Sequence, residues 1–222
     1  MTQEGQRSVT GMVLLSVPAG EYDRRVVLLT REAGKLSCFA RGARKQGSPL
    51  MAACSPFVFG RFQLRALRSG YVLTEASVQN YFAALREDAS AAYYGMYFLE
   101  AAELVTREEL DASGLLALLY RSCEALLLPS IPNRLVRAIF ELKLIMTEGE
   151  FPGLDARERE SCSSSMQYAV RFIEQSEIAR LYTFCVREEI LEELEAFSAR
   201  LCRRFFDHEF RSLEILKLME SP

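Results

Sequence analysis

Residues 9–45, VTGMVLLSVPAGEYDRRVVLLTREAGKLSCFARGARK, constrain the fold more than any other stretch. Three apolar, β-branched runs (9–17, 24–30 and 35–43) are separated by Pro18-Ala19-Gly20 and by the tight turn Glu32-Ala33-Gly34. Runs of this kind bounded by Gly and Pro read as strands and turns. Gln46-Gly47-Ser48-Pro49 is a loop signal, and residues 50–54 form a short apolar connector. Two further strands, 57–67 and 71–78, follow, joined by Arg68-Ser69-Gly70. Five short strands in about 80 residues suit a small closed barrel, and the OB-fold is the five-stranded type that binds oligonucleotides.

Side-chain alternation adds chemistry to this frame. In the fourth strand Val58, Gly60, Phe62, Leu64 and Ala66 share one face, while Phe57, Phe59, Arg61, Gln63 and Arg65 share the other. In the third, Leu36, Cys38, Ala40 and Gly42 oppose Lys35, Ser37, Phe39, Arg41 and Ala43. Each strand thus has an apolar face and a face mixing cations with aromatics. Cations meet phosphates and an exposed ring can stack on a base, so Lys35, Phe39, Arg41, Arg61 and Arg65 form a candidate nucleic-acid site. The alternative is an ordinary solvated barrel face. Arg24 and Arg25 open a strand beside a turn, and Arg44 and Lys45 sit in a loop; either pair can clamp a phosphate backbone, and Arg44 can equally serve as a solubilising charge. Arg68, in the turn before the fifth strand, joins the candidate set.

The charge distribution agrees with that site. The 222-residue chain has a formal net charge of −3. Residues 1–80 hold 11 Lys+Arg against 5 Asp+Glu, a net of +6, and the rest of the chain carries −9. Polyanion binding is therefore expected in the first part alone. Glu-rich helices account for the acidic remainder but not for the basic excess.

From Tyr81 onward the apolar period is helical. Helices are expected over 89–105, 112–128 and 132–147, the last with Leu135, Ile139, Leu142 and Met146 at helical spacing and Pro132 in its first turn. Gly149-Glu150-Phe151-Pro152-Gly153 stops it, and the polar segment 155–165 reads as a mobile loop. Helices over 166–174 and 177–184 precede one long helix, 187–219, with an apolar stripe of Ile190, Leu194, Phe197, Leu201 and Phe205. The class is α+β: a five-stranded barrel over 1–80 for DNA, then an all-α domain over 81–222 for partners.

Catalytic and metal signatures are lacking. The six cysteines, Cys38, Cys54, Cys123, Cys162, Cys185 and Cys202, include no C-x-x-C pair, which suits neither a zinc site nor a disulfide scaffold. Free, mostly buried thiols in a reducing cytoplasm are expected. His208 sits between Asp207 and Glu209 with no nucleophile supplied beside it. The pairs Glu108-Glu109, Glu188-Glu189 and Glu192-Glu193 can bind a divalent metal or simply form solvated helix faces. No P-loop, G-x-S-x-G or H-E-x-x-H motif occurs. With a polar start, MTQEGQRS, and no apolar run near 20 residues, the chain is expected to be soluble and intracellular.

The chain resembles the RecO family of bacterial DNA-repair and recombination-mediator proteins. The resemblance rests on Thr10-Gly11-Met12-Val13-Leu14, Tyr22-Asp23-Arg24-Arg25-Val26-Val27, Leu29-Thr30-Arg31-Glu32-Ala33-Gly34-Lys35-Leu36 and Ala40-Arg41-Gly42-Ala43-Arg44-Lys45. Pro56-Phe57, Leu85-Arg86-Glu87-Asp88, the segment around Arg137-Ala138 and Phe140-Glu141-Leu142-Lys143, and the region Phe206 to Ser212 extend it over nearly the whole chain. It implies an N-terminal OB-fold and a helical domain, and a cytoplasmic, nucleoid-associated, non-enzymatic protein without cofactors. It further implies binding to single- and double-stranded DNA, strand annealing, and work with RecR, the single-stranded-DNA-binding protein and, indirectly, RecA, with no membrane partner. Two C-x-x-C pairs found in the helical half of many members are missing, so bound zinc is not expected. An acidic tail on the single-stranded-DNA-binding protein would need cations beside an apolar groove, and Arg121, Arg134 and Arg137 are the candidates. The alternative is that these arginines pair with Glu124 and Glu141. A metal-dependent nuclease or a pure interaction adaptor are the competing functions.

Overall fold

In the computed structural model the described residues are 5–68 and 70–220; of Met219 and Glu220 the backbone alone is described. Five strands form a closed barrel in the order β1-β2-β3-β5-β4: β1 (Gln6–Ala19), β2 (Asp23–Thr30), β3 (Gly34–Ala40), β4 (Phe59–Leu67) and β5 (Gly70–Asn80). The pairs are antiparallel except β3 with β5, which run parallel through Cys38↔Tyr71 and Phe39↔Val72. This is the expected OB-fold, and helices follow it. β1 is longer than expected because Pro18 and Ala19 stay in register with Arg24 and Asp23. A proline without an N–H is tolerated where the ladder ends. Its first half pairs with β4 and its second with β2, so β1 serves two neighbours, with a register shift between Val13 and Leu15.

Alternation builds the barrel core. Val26, Leu28, Leu36, Cys38, Phe62 and Leu64 all point inward and are buried. The apolar connector over 50–54 is a short helix, α1 (Leu50–Ala53), whose Leu50 and the following Cys54 join that core. Phe57 departs from expectation. It lies before β4 with φ of 72° and is buried, so it is absent from the basic face. Ala43 is buried too, because β3 ends at Ala40 and the alternation ends with it. Gly11 and Gly60 have no room for a side chain: a Cβ would stand 2.3 Å from the Leu29 carbonyl oxygen and 2.4 Å from that of Ser77.

Nine α-helices occur among the described residues. After α1 come α2 (Ala83–Glu87), α3 (Ala89–Val105), α4 (Ser113–Ala125), α5 (Asn133–Thr147), α6 (Ala156–Ser161), α7 (Ser164–Gln175), α8 (Glu188–Phe205) and α9 (Arg211–Glu220), with a 3₁₀ turn at Ile178–Arg180. The chain divides into two compact units. One holds residues up to Ala84 together with Leu99–Leu116; the other holds Leu85–Phe98 and the chain from Ala117. In the first, the segment after α3 straps the β2–β3 turn. The Lys35 amide donates to the Arg107 carbonyl at 3.1 Å and the Glu109 amide to that of Ala33 at 3.1 Å. Gly34, at φ +60°, is required there, since a Cβ would meet the Arg107 oxygen at 2.3 Å.

The second unit is built on α5, whose Leu135, Ile139, Phe140, Leu142 and Ile145 are buried. Pro132 is its cap, with an extended ψ of 136°, instead of a residue of the first turn. Phe140 stacks on Phe98 at 4.2 Å. Glu141, 1% exposed, accepts from the Tyr97 hydroxyl at 2.9 Å and from Arg137 Nε at 2.8 Å. The Lys143 ammonium donates to the carbonyls of Ile173, Glu174 and Ser176, closing the C-terminal end of α7 where a cation is favoured.

Three expectations in this unit are overturned. The segment 155–165 is not an irregular loop. It contains α6, opened by a capping box in which Asp155 accepts from the Glu158 amide while Glu158 accepts from the Asp155 amide. The final helix is not continuous. α8 stops at Phe205, Phe206 turns extended (φ −97°, ψ 116°), and α9 begins at Arg211. The break lets Phe206 and Phe210 bury against each other edge to face at 4.9 Å, with Phe210 also against Tyr97 at 5.0 Å. A continuous helix would give up those contacts to keep Asp207 and His208, both weak helix formers, in register. The helix expected over 177–184 is reduced to the 3₁₀ turn. No helix among the described residues is long and apolar enough to cross a membrane.

Removing one partner of a buried pair strands the other charge. Glu141→Ala is expected to destabilise the chain by about 3–5 kcal/mol, while Arg134→Ala, which breaks partly exposed ion pairs, costs about 1 kcal/mol or less. Urea denaturation of both variants checks the ordering.

Candidate nucleic-acid interface

The short parallel pairing of β3 with β5 decides which candidate residues meet. Arg25 lies opposite Phe39 on β3, Phe39 is level with Val72 on β5, and Val72 with Arg65 on β4. These residues form one row across four adjacent strands. Strands are spaced about 4.8 Å apart, so Phe39 and Arg65 are about 10 Å apart at the backbone. Phe39 is 46% exposed, an unusual position for a ring that could have been buried. Arg25 beside it is exposed and donates from Nε to the Ser37 hydroxyl at 3.1 Å, which holds its guanidinium along the strand surface.

The β1–β2 hairpin bounds one side of this face. Gly20, at φ +70°, turns it, and Tyr22 stands at its tip, 46% exposed. The loop after β3 folds back onto the hairpin. The Gly42 amide donates to the Asp23 carboxylate at 2.7 Å, the Arg44 amide to the Tyr22 carbonyl at 2.8 Å, and the Arg44 guanidinium to the Gly20 carbonyl at 3.1 Å. Lys45 Nζ sits over the Tyr22 ring, 5.3 Å from its centre. Arg41, Arg44 and Lys45 are all exposed. The other side is bounded by the β4–β5 connection, where Arg68 is exposed; Ser69 in the expected turn is outside the described residues. The β2–β3 face between loops 1–2 and 4–5 is the surface on which OB-folds take oligonucleotides.

Three candidates sit elsewhere. Lys35 shares the strand face of Phe39, but four residues away, about 13 Å along β3, and its ammonium donates to the Glu103 carbonyl at 2.9 Å. Arg24 faces the opposite side from Arg25. It is partly buried, donates to the Ser16 hydroxyl at 3.3 Å, and has a buried Nε with no partner. It lies near the buried thiol of Cys54, whose pKa burial pushes up to about 11 while Arg24 pulls it down. Arg61 is exposed but pairs with Thr10 and Ser77, four residues from Arg65 and off the row. Sequence reasoning missed Tyr22. Its signal was a tyrosine in a hairpin turn next to two arginines, with a lysine returning from the following loop.

In the helical unit, Arg121 pairs with Glu124 at 2.8 Å and Arg137 with Glu141 at 2.8 Å. Arg134 is bound by Glu195 through two nitrogens and by Glu188 at 2.5 Å. Their charges are thus committed to carboxylates of the same unit, which favours the structural reading of these arginines over tail docking. One member of each glutamate pair is likewise engaged: Glu188 with Arg134, Glu193 with the Ser163 amide at 2.9 Å, Glu109 with Arg7 at 3.8 Å. Among the described residues no three His, Cys, Asp or Glu side chains are gathered for a metal ion. His208 is exposed against the Phe210 ring, 5.0 Å between centres. Cys38, Cys54 and Cys123 are buried, Cys162 and Cys202 half-buried, and Cys185 exposed.

These features define a protein with an OB-fold barrel that carries a basic, aromatic face and leads into a helical unit. Residues 4–82 match the family described as Recombination protein O N terminal. The chain is 33% identical over 162 residues to the DNA repair protein RecO of Alkaliphilus metalliredigens, covering 73% of this chain and 65% of that one. It is 24% identical over 242 residues to that of Acetivibrio thermocellus, covering 95% and 96%. With that of Halalkalibacterium halodurans it shares 29% over 212 residues, covering 94% and 80%. The chain is thus similar to RecO proteins, through the matched N-terminal module and, at lower identity, over nearly its whole length. The match to the Alkaliphilus relative spans just under two thirds of that relative's length.

The engaged ammonium of Lys35 and the open guanidinium of Arg25 should separate in a stability experiment. Lys35→Met is expected to lower stability by about 1 kcal/mol through the orphaned Glu103 carbonyl, while Arg25→Ala changes it by less than about 0.5 kcal/mol. Paired urea melts read the difference.

Proposed function

We propose that the chain is a DNA-binding mediator of recombination in DNA repair, acting without catalysis of its own. The observation that carries the reading is the exposed Phe39 set between Arg25 and Arg65 and flanked by Tyr22 with Lys45 on one side and Arg68 on the other. A protruding ring contributes about 1–3 kcal/mol when a base stacks on it. The surrounding guanidinium groups neutralise phosphates and release counterions, which is binding without sequence preference. Arg25, Phe39, Arg41, Arg44, Lys45, Arg65 and Arg68 are the residues assigned to it, with Tyr22 added. Arg24 and Lys35 act by holding the barrel, and Arg61 extends the basic surface along β4.

The family supplies the rest of the proposal. The relatives bear the name DNA repair protein. Annealing of complementary strands follows from a surface that neutralises phosphates and displays rings to unpaired bases. Work with RecR and the single-stranded-DNA-binding protein, and loading of RecA, are proposed for the helical unit, in a bacterial cytoplasm. Engagement of one glutamate in each pair speaks against the nuclease reading, and the open basic face against a pure adaptor.

Titration of a labelled oligothymidylate tests the assignment. Phe39→Ala is expected to weaken binding about tenfold at every salt concentration. The triple variant Arg25→Ala, Arg41→Ala, Arg65→Ala should reduce the slope of log K against log salt by about 2. Incubation of labelled duplex with magnesium should leave it intact. Unaltered affinity in the folded variants, or cleavage of the duplex, would overturn the proposal.

A further inference from the structure

A second aromatic surface ringed by free cations lies in the helical unit. Tyr168, Arg171 and Phe172 fall on one face of α7, at positions i, i+3 and i+4. Tyr168 is 71% exposed, the ring projecting from the helix. Phe172 packs edge to face on Phe184 at 5.0 Å. Two open cavities, of about 760 and about 420 Å³, share Tyr168 and Phe172. They form one trough, with Arg187 on the first cavity and Arg171 and Arg180 on the second. All three arginines are exposed, and among the described residues none makes an ion pair or a side-chain hydrogen bond. Glu177 and Glu189 also line the trough, leaving it a net positive strip in a unit that is otherwise acidic.

This pattern differs from that of Arg121, Arg134 and Arg137, each neutralised by a carboxylate. Three exposed guanidinium groups left unpaired in a Glu-rich unit are complementary to an anion supplied from outside. A ring that stands out of its helix suits stacking on a flat partner better than insertion of a peptide side chain into a pocket. We infer that the Tyr168 trough is a second binding site for single-stranded nucleic acid, with bases stacked on Tyr168 and phosphates held by Arg171, Arg180 and Arg187. The inference rests on the reading of the chain as a DNA binder and extends it, since a molecule with a strand on the barrel and another on α7 can hold two strands at once.

The test uses the full chain and an oligothymidylate of about 30 nucleotides carrying 5-bromodeoxyuridine, irradiated in the complex and followed by peptide mapping. Adducts are expected on the α7 peptide containing Tyr168 as well as on barrel peptides. In the Phe39→Ala background, Tyr168→Ala is expected to weaken residual binding about tenfold, and Tyr168→Phe to retain it. Replacing Arg171, Arg180 and Arg187 together with Ala should lower the salt slope by about 2. Tyr168 is mostly exposed, so the substitutions should leave the urea midpoint unchanged. Adducts confined to the barrel, with Tyr168→Ala binding normally, would overturn the trough site and leave the barrel reading standing. Failure of both the barrel and the trough variants to alter binding would overturn both. Loss of an acidic, apolar-ended peptide instead of the oligonucleotide in Tyr168→Ala would assign the trough to a protein partner and reject the inference.

Discussion

Closure of the barrel through β3 and β5 is the constraint on which the first unit depends. Among the described residues, only Cys38↔Tyr71 and Phe39↔Val72 define that parallel pairing. Without it the sheet would have two open edges, and β5 would have no fixed position relative to β3. With it, Arg25, Phe39 and Arg65 fall into one row, and the β4–β5 connection stands across that row from the β1–β2 hairpin. The inward side of the same strands is filled by Val26, Leu28, Leu36, Phe62 and Leu64. A period of two links the two faces: a strand that buries Cys38 has no choice but to present Phe39 outward.

Close approach of backbones is the second requirement. Gly11 and Gly60 lie where a Cβ would collide with the carbonyl oxygens of Leu29 and Ser77. The barrel is drawn tight enough at these points that only glycine fits. Gly34 has the same role under the strap at Arg107, where its positive φ adds a second reason. Beneath the strap, Lys35 supplies a donor to the last turn of α3, which explains why a cation on the basic strand face serves the fold instead of a ligand.

Much of this was legible in the sequence because local periodicity and turn residues decide it. The five strands, the alternation of Val58 to Leu64, and helix α3 follow from spacing alone. What local patterns could not carry was tertiary. The row through Arg25, Phe39 and Arg65 depends on the β3–β5 pairing between residues more than 30 positions apart. The engagement of Lys35 depends on Glu103. The break at Phe206 to Phe210 follows from burial of two rings against Tyr97, a gain invisible to a helical stripe that continues through Phe205. The polar segment 155–165 looked irregular by composition, yet its Asp155 and Glu158 carry the spacing of a capping box. Tyr22 was passed over because a lone tyrosine in a turn has no period to mark it.

The central claim is that nucleic acid lies on the β2–β3 face between the hairpin and the β4–β5 connection. Amide hydrogen exchange of the full chain, with and without a saturating oligothymidylate, tests it directly. The account expects added protection at Asp23 to Val26, at Phe39 to Lys45 and at Gly70 to Val72, with little change at Thr10 and Arg61. Protection concentrated along β1 and β4 around Thr10 and Arg61, with the β2–β3 face unchanged, would contradict it.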